Sequence, residues 1–212
     1  MSFYNSNTSE WCDVIYCEDG IRYGSEYRTP HKIFRINGYT NPNYDPNVFR
    51  LGSIVRSLHD KPRSSEVTKQ INNGLQLNLI GSEVIVTNLS TNDIYVAAMD
   101  AKMVNAIPIA HVLVRKLATG EQISVFDYVN FTKVLGHNVN YGTEAVQKIS
   151  DYCYIKVSFK NDFTYDRGLS GLQAPCWVQI KLHSPREWLD RVLKAMPPIK
   201  PETSIHALGT TD

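Results

Sequence analysis

The chain has 212 residues, of which 42% are hydrophobic and 20% are charged, and its formal net charge is +1. This length and composition predict one globular domain with a sizeable core. The near-neutral charge excludes a general electrostatic attraction to nucleic acid or to a membrane surface, so we expect any basic function to be local. The polar start is unlike a signal peptide and no apolar run is long enough to span a bilayer, so we expect an intracellular protein.

Strand patterns dominate residues 11–197, which we predict to be the folded domain between a flexible N-terminus (1–10) and a flexible tail (198–212). The segments with strand character are WCDVIYCE (11–18), KIFRI (32–36), EVIV (83–86), DIYVAA (93–98), ISVFD (123–127), CYIKVSF (153–159) and CWVQIKLH (176–183). The segments at 83–86 and 93–98 flank a polar turn, which predicts a hairpin. In the last two segments apolar and polar residues alternate, which predicts half-buried strands whose second face, with Lys156 and Trp177, lies away from the core.

Helical patterns are fewer and lie mostly late in the chain. A weak one covers about 64–71, a second begins near Asp127, and a third follows Gly142. The best marked begins at Ser184, where the sequence Ser-Pro-Arg-Glu has the form of a capping box. Its apolar stripe consists of Leu189, Val192, Leu193 and Met196. Many strands followed by grouped helices predict a mainly β fold with α, namely a β-sandwich with helices at its end.

The sequence lacks the common motifs of catalysis and metal binding. No glycine-rich phosphate loop follows a strand, the G-x-S-x-G and H-E-x-x-H patterns do not occur, and the six histidines are scattered. Four cysteines lie in apolar contexts without zinc-ligand spacing, which predicts buried free thiols: Cys12, Cys17, Cys153 and Cys176. We therefore expect no enzyme, no cofactor and no metal. The rival interpretation is a hydrolase whose catalytic groups meet only in the folded chain.

Basic and aromatic residues are concentrated in two regions. Lys116 precedes a turn at 118–120, and Lys160, Tyr165 and Arg167 lie in a long polar segment that follows neither helical nor strand period. Neighbouring Lys, Arg and Tyr donors suit a phosphate, because charge-assisted hydrogen bonds contribute roughly 1.5–3 kcal/mol each. The alternative is that these residues only keep the loops soluble.

Seven segments carry a resemblance that covers nearly the whole chain. They are WCDVIYCE (11–18), GYTNP (38–42), FRLG (49–52), INNGLQL (71–77), GSEVIVTNLSTNDIYV (81–96), VNYGTEAVQKISDYCYIKVSF (139–159) and PCWVQIKLHSPREWLDRVL (175–193). In this order they resemble the carboxy-terminal Mad homology 2 domain of the SMAD signal transducers, across about residues 10–198.

The resemblance implies a β-sandwich of the SMAD/forkhead-associated type, with a three-helix bundle at one end and a loop-helix region at the other. It implies a protein without catalytic activity that assembles under phospho-regulation into homo- or heterotrimers with other SMAD proteins. The further partners implied are TGF-β-family receptor kinases and transcription factors, with no nucleic acid or membrane bound directly by this domain. The implied localisation is cytoplasmic and nuclear.

The long polar segment matches the family's loop that reads receptors and binds the phosphoserine tail of a neighbouring subunit. The phosphoserine-tail site implied by the resemblance consists of Lys116, Lys160, Tyr165 and Arg167. The residues expected to contact receptors and other partners are Asp162, Phe163 and Asp166, which depart from the family pattern. The two aspartates place negative charge where a phosphate docks.

Two further features concern assembly. Asp190 matches an aspartate of the family's helix bundle that pairs across the subunit interface, with Lys61 or Arg63 as its expected partner. The chain ends without the Ser-Ser-x-Ser motif of receptor-activated members, so we do not expect Thr210 and Thr211 to be phosphorylated as that motif is. The sequence thus predicts a divergent SMAD-type signal transducer and transcriptional modulator in a TGF-β- or BMP-like pathway. The alternatives are an atypical or antagonistic SMAD that binds partners without receptor phosphorylation, and a forkhead-associated-like phosphopeptide reader.

Overall fold

The computed structural model describes residues 10–18, 20–40, 45–56, 69–104, 107–159, 163 and 174–197. Its strands are β1 Cys12–Glu18, β2 Ile21–Thr29, β3 Ile33–Asn37, β4 Val48–Arg50, β5 Leu75–Ile80, β6 Glu83–Asn88, β7 Ile94–Val104, β8 Ile107–Leu117, β9 Gln122–Asp127, β10 Tyr154–Ser158 and β11 Cys176–Leu182. Within these residues the strands form a six-stranded sheet, in the order β2-β1-β11-β10-β7-β8, and a five-stranded sheet, in the order β4-β3-β5-β6-β9.

The two sheets enclose one core. In the five-stranded sheet, β5 turns Leu75, Leu77 and Leu79 inward, and in the six-stranded sheet β11 turns Val178 and Ile180 inward. The two-residue period of each strand places these side chains on one face. Each such side chain, when fully buried, contributes roughly 1.5–3 kcal/mol.

The helices with both ends among the described residues are α1 Leu51–Arg56, α2 Tyr128–Val139, α3 Thr143–Lys148 and α4 His183–Ala195, with a 3₁₀ helix at Ile149–Cys153. Helices α2, α3 and α4 contact one another, and the rings of Phe131 and Trp188 lie 6.1 Å apart between α2 and α4. Asp127 caps α2, since its Oδ1 accepts a hydrogen bond from the Val129 amide at 2.8 Å. The predicted β-sandwich with late helices is therefore confirmed.

The loop-helix region is described only in part. Helix α1 follows β4 directly, and residues 69–71 are helical. The rest of the weak helix predicted at 64–71 lies outside the described residues.

The connection between β6 and β7 corrects one prediction. The predicted hairpin at 83–98 is wrong, because the two strands belong to different sheets. Asn88, which is fully buried, holds the crossover: its Nδ2 donates to the carbonyls of Asn92 at 2.8 Å and Leu117 at 2.9 Å, and its Oδ1 accepts from the Ser90 amide at 2.8 Å. These bonds satisfy the polar atoms of a buried amide side chain.

The start of α4 corrects a second prediction. The helix begins at His183, with Leu182 as its N-cap and no side-chain cap, so the capping box at Ser184 does not form. Strand β11 runs directly into the helix, and three contacts hold His183 at this junction. Its amide donates to the Trp11 carbonyl at 3.0 Å, its Nδ1 lies 2.9 Å from the Glu10 carbonyl oxygen, and its Nε2 lies 2.8 Å from Asp13 Oδ1.

The predicted half-burial of the late strands holds at Tyr154, Gln179 and Lys181, which are half-buried, but it is wrong at three other positions. In β10, Lys156 and Ser158 are buried as well as the apolar residues, and in β11 Trp177 is buried. A second cluster of buried residues covers the outer face of the six-stranded sheet at this point. Both faces of β10 are therefore packed.

All four cysteines are buried free thiols. Burial raises the pKa of Cys12, of Cys17 and of Cys153, the last to about 12. At neutral pH these three thiols are therefore protonated and pack as small apolar side chains.

Candidate functional site

A row of side chains crosses the outer face of the six-stranded sheet. Paired positions on successive strands place its members side by side: Arg22, Cys17, Trp177, Ser158, Tyr95 and Lys116. Their neighbours along the strands, such as Val157 and Val178, belong to the core, so the row faces away from it. We call this set the outer row. It brings Lys116, at one edge of the sheet, onto the same face as Trp177 in the middle.

The loop between β10 and β11 (residues 159–175) is anchored on the outer row. Phe163 and Ala174, two described residues of this loop, are 8% and 4% exposed and pack with Cys17, Ala97 and Trp177. Tyr95, the cross-strand neighbour of Lys116, packs against the same cluster. The structure therefore places Lys116 on the same face of the sheet as Phe163 and Ala174.

Lys156 lies on the same face of β10 as Ser158, a member of the outer row. Only 3% of it is exposed, it stands opposite Ala97 on the neighbouring strand, and its Nζ lies 4.4 Å from the centroid of the Trp177 ring. Burial lowers the pKa of Lys156, because it disfavours the charged ammonium, while Cys17 and Asp151 act in the opposite direction. The aromatic face compensates part of this cost through a cation–π interaction. We call Cys17, Ala97, Lys156 and Trp177 the loop platform.

Lys116 is already paired with a carboxylate. Its Nζ lies 2.6 Å from Asp93 Oδ2, and the two side chains are 58% and 40% exposed. The hydrogen bond to Asp93 raises the pKa of Lys116, with smaller contributions from the charge of Asp93 and from Tyr95. A phosphate that binds Lys116 therefore meets a charged ammonium and has to compete with Asp93 for it.

The other expected site residues have different outcomes. Phe163 is a buried anchor of the loop in this single chain. Those that lie outside the described residues, so that their roles stay predictions, are Lys61, Arg63, Lys160, Asp162, Tyr165, Asp166 and Arg167. Asp190 is half-buried and forms two contacts with Arg186 one turn earlier in α4, at 3.2 Å to Nε and 3.1 Å to a terminal guanidinium nitrogen. Its expected pairing across a subunit interface stays a prediction too.

Sequence reasoning missed Asp93, Lys156 and Trp177 as parts of this site. From the sequence, Asp93 was assigned only to the start of the strand segment at 93–98, and the other two were predicted on a strand face that lies away from the core. The signal that could have found them is the register of β7, β10 and β11, which aligns Tyr95 with Lys116 and Ala97 with Lys156. Register depends on long-range pairing and is not readable from one segment.

In the part of the chain that the structure describes, none of the helices has the length and apolarity needed to cross a membrane. The described residues also contain no group of three or more His, Cys, Asp or Glu side chains arranged to hold a metal ion.

Comparison with known proteins agrees with this architecture. Two solved structures share the fold: a crystal structure of STAT2 in complex with IRF9 matches with a TM-score of 0.57 and 12% identity, covering 89% of this chain and 99% of that chain. The crystal structure of the Interferon Regulatory Factor 9 IAD domain matches with a TM-score of 0.57 and 13% identity, covering 92% of this chain and 94% of that chain. The family model of the MH2 domain matches residues 9–183, which include every strand of both sheets. The chain therefore belongs to the MH2 domain family and is a SMAD-type protein–protein interaction module.

Proposed function

We propose that this protein is a SMAD-type signal transducer in a TGF-β- or BMP-like pathway. It assembles with other SMAD proteins into homo- or heterotrimers, contacts receptor kinases and transcription factors, and moves between cytoplasm and nucleus. The assembly is controlled by phosphorylation, because a phosphorylated serine tail of one subunit binds the loop and Lys116 of the next.

One observation supports this proposal above the others. Lys116 and the anchors of the β10–β11 loop lie on one face of one sheet, joined by Tyr95, which is paired with Lys116 and packs on the loop platform. A phosphate at this place meets Lys116 together with the donors that the sequence supplies in the loop, Lys160 and Arg167. Loops held on a rigid sheet are common positions for binding residues.

The chemistry of the proposed step is an exchange of anions. Asp93 carries one negative charge, whereas a phosphoserine carries roughly −1.5 to −2 at neutral pH and offers three acceptor oxygens. The phosphate therefore displaces Asp93 from Lys116 where an unmodified serine does not. Since Lys116 is more than half exposed, the binding weakens with salt, which screens charges over about 8 Å at physiological ionic strength.

The test compares two peptides that end in Ser-Ser-x-Ser, one phosphorylated on its last two serines and one unmodified. Isothermal titration at two salt concentrations measures the affinity of each for the purified protein. We expect the phosphorylated peptide to bind at least about tenfold more tightly. We expect Lys116→Gln to reduce that preference severalfold. The matched control is Lys133→Gln, which removes the same charge from an exposed position on α2. Equal affinity of the two peptides for the wild type would contradict the proposal.

A second candidate is an atypical or antagonistic SMAD that binds partners without reading phosphate. The 2.6 Å pairing of Asp93 with Lys116 favours it, because the lysine already has an anion beside it. In that case both peptides bind weakly or not at all. Asp93→Asn would then leave peptide binding unchanged, whereas the first candidate requires Asp93→Asn to strengthen the phosphorylated complex.

A further inference from the structure

An open pocket with a basic wall lies at the edge of the five-stranded sheet, whereas Lys116 belongs to the other sheet. Its volume is about 450 Å³, within the usual range of ligand pockets. The residues that line it are Asn37, Tyr39, Thr40 and Arg50. Asn37 stands opposite Arg50 where β3 pairs with β4, and the preceding pair, Ile36 and Phe49, is part of the core. Because side chains alternate along a strand, Asn37 and Arg50 lie on the outer face of this sheet.

The guanidinium of Arg50 is the basic group of this pocket. Arg50 is half-buried, yet among the described residues its guanidinium forms neither a hydrogen bond nor an ion pair. By contrast, Arg22, Arg28 and Arg186 each have a carboxylate oxygen within hydrogen-bonding distance, at 3.1, 3.0 and 3.1 Å. A guanidinium carries five N–H donors, and partial burial removes some of their water without replacing it. Arg50 therefore keeps donors that a ligand can use.

The other residues of the pocket add neutral donors and no carboxylate. Asn37 Oδ1 accepts a hydrogen bond from the Tyr39 amide at 3.2 Å, which leaves the Nδ2 protons of the same side chain to donate elsewhere. The Tyr39 hydroxyl donates its proton to Asn73 Oδ1 at 2.9 Å, and Thr40 contributes a second hydroxyl. Because donors predominate around a positive charge, the pocket suits an anion with several acceptor oxygens.

A second arginine lies beside the pocket on the same face. Arg35 comes two residues before Asn37 on β3, so about 6.6 Å separates their positions along the strand. It is exposed, and its Nε donates to a neutral acceptor, Gln76 Oε1, at 3.2 Å. No carboxylate of the described chain, including Asp45 in the turn before β4, forms an ion pair with Arg35 or Arg50. The two positive charges are therefore available together.

The wall of the pocket that carries Tyr39 is held in place by three neighbours. A Cβ added to Gly52 in α1 would lie 2.8 Å from the carbonyl carbon and oxygen of Tyr39, so the two backbones are in direct contact. The Gly38 amide donates to the Asn72 carbonyl at 2.9 Å, and the Tyr39 hydroxyl is bonded to Asn73. A ligand that enters this pocket therefore has little of the wall to order, which lowers the cost of binding.

We propose that Arg50, together with Asn37, Thr40 and Arg35, forms a second anion site, which takes a phosphate monoester or inorganic phosphate. A carboxylate brings one negative charge, whereas a phosphate brings nearly two and offers three acceptor oxygens, which matches two arginines and two neutral donors. The planar guanidinium of Arg50 suits two of these oxygens. This site goes beyond the proposed function, because it lies on the other sheet from Lys116 and uses none of the same residues.

The test follows the side-chain Nε–H signal of Arg50 and the backbone amides of Tyr39 and Thr40 by NMR at constant ionic strength. The probes are inorganic phosphate, a Gly-Gly-Ser-Gly-Gly peptide phosphorylated on its serine, and the unmodified peptide. We expect both phosphate probes to shift these signals and the unmodified peptide to leave them in place. Tighter binding of the phosphorylated peptide would identify a modified side chain of a partner protein as the source, and equal binding would identify a small phosphate.

The variants separate this site from general charge effects. We expect Arg50→Gln to weaken the binding of both phosphate probes at least about tenfold. Arg50→Lys should weaken it severalfold, because an ammonium keeps the charge but lacks the fork of donors, and Arg35→Gln about threefold. The matched control is Arg191→Gln, at an exposed position of α4, which should leave the affinity unchanged. Lys116→Gln should also leave it unchanged.

Two results would overturn the inference: an Arg50 signal that moves with neither phosphate probe, and wild-type affinity for both probes in Arg50→Gln. Equal binding of the phosphorylated and the unmodified peptide would overturn it as well. Thermal melting checks that each variant is folded, and if Arg50→Gln is not, Arg50→Lys and Arg35→Gln carry the same comparison. Failure of the Ser-Ser-x-Ser peptides to bind through Lys116 would refute the proposed function and leave the Arg50 site standing.

Discussion

Gly74 offers the sharpest test of how the five-stranded sheet is built. It precedes β5 with a φ of +64°, its amide donates to the Ile71 carbonyl at 2.7 Å, and its carbonyl accepts from the Leu89 amide at 2.9 Å. A Cβ added at this position would lie 1.9 Å from the Ile36 carbonyl oxygen and 2.9 Å from the carbonyl carbon. The atoms that it meets are backbone atoms of β3, which is paired with β5, so they cannot turn away as a side chain would.

The magnitude follows from a comparison with Gly81. Gly81 has nearly the same φ, +59°, but a Cβ there meets no atom within 4 Å. Both Gly74→Ala and Gly81→Ala therefore carry the left-handed backbone cost of roughly 1–2 kcal/mol. Only Gly74→Ala also forces β3 away from β5 and disturbs the pairing of Ile36 with Leu75. We expect this to add at least about 3 kcal/mol, which is a large part of a typical domain stability of about 5–15 kcal/mol.

Urea denaturation, followed by circular dichroism, measures the free energy of unfolding of the wild type and of each of the two variants. We expect the free energy of unfolding to fall from the wild type to Gly81→Ala and further to Gly74→Ala. The difference between the two variants should be larger than the difference between the wild type and Gly81→Ala. Equal losses in the two variants would refute the reasoning, because the close approach of Gly74 to Ile36 would then carry no energy. A changed denaturant slope in one variant would show that its unfolded or native state differs, and the comparison would then use the transition midpoints.

Three further predictions concern single side chains. We expect Asp190→His to weaken oligomers in sedimentation while the monomer stays folded. Arg186→Met also breaks the Arg186–Asp190 pair within α4, which contributes only about 0.3–0.5 kcal/mol. It should leave the mass of the oligomers unchanged, and equal effects of the two variants would contradict an interface role for Asp190. The pKa of Lys156 is lowered below its ordinary 10.5, so the unfolded chain binds more protons than the folded one as the pH approaches that value. The wild type should therefore gain stability relative to Lys156→Met between neutral pH and about 10.5, and a constant difference would refute this. Finally, Asp127→Ala should lower the free energy of unfolding by about 1 kcal/mol and Asp127→Asn by much less, because the asparagine oxygen still caps α2.

Sequence patterns over a few residues predicted those strands and helices that nearby residues specify. The strand at Cys12–Glu18 and the helix that starts after Asp127 were both predicted, since alternation and an N-cap residue act within a few positions. The errors arise where contacts with residues distant in sequence determine the path of the chain. A polar turn after Asn88 looks the same in sequence whether the chain turns back or crosses to the other sheet, and the buried side chain of Asn88 selects the crossing.

The candidate site shows the same limit. Lys116 was expected near the loop from family resemblance, but its pairing with Asp93 and its position beside Tyr95 follow from the packing of β7 against β8. Lys156 was expected to face away from the core, since lysine in an alternating strand is normally solvated. It is buried on that outer face, where its Nζ lies over the Trp177 ring and where Phe163, a residue whose role no short-range pattern reveals, packs in the same cluster as Trp177.

The position of β11 has a consequence for how the chain is made. This strand lies in the interior of the six-stranded sheet, paired with β1 on one side and β10 on the other, and Cys12 stands opposite Leu182. During synthesis the hairpin of β1 and β2 emerges well before β11, and it cannot join the rest of the sheet until Cys176–Leu182 has left the ribosome. Contacts between residues so far apart in sequence form slowly, and strand edges stay exposed until they form. Exposed strand edges are where chaperones bind and where chains aggregate. A nascent or truncated chain that stops before Cys176 has neither Trp177 nor a continuous sheet, so it holds Arg22 and Lys116 on two separate pieces.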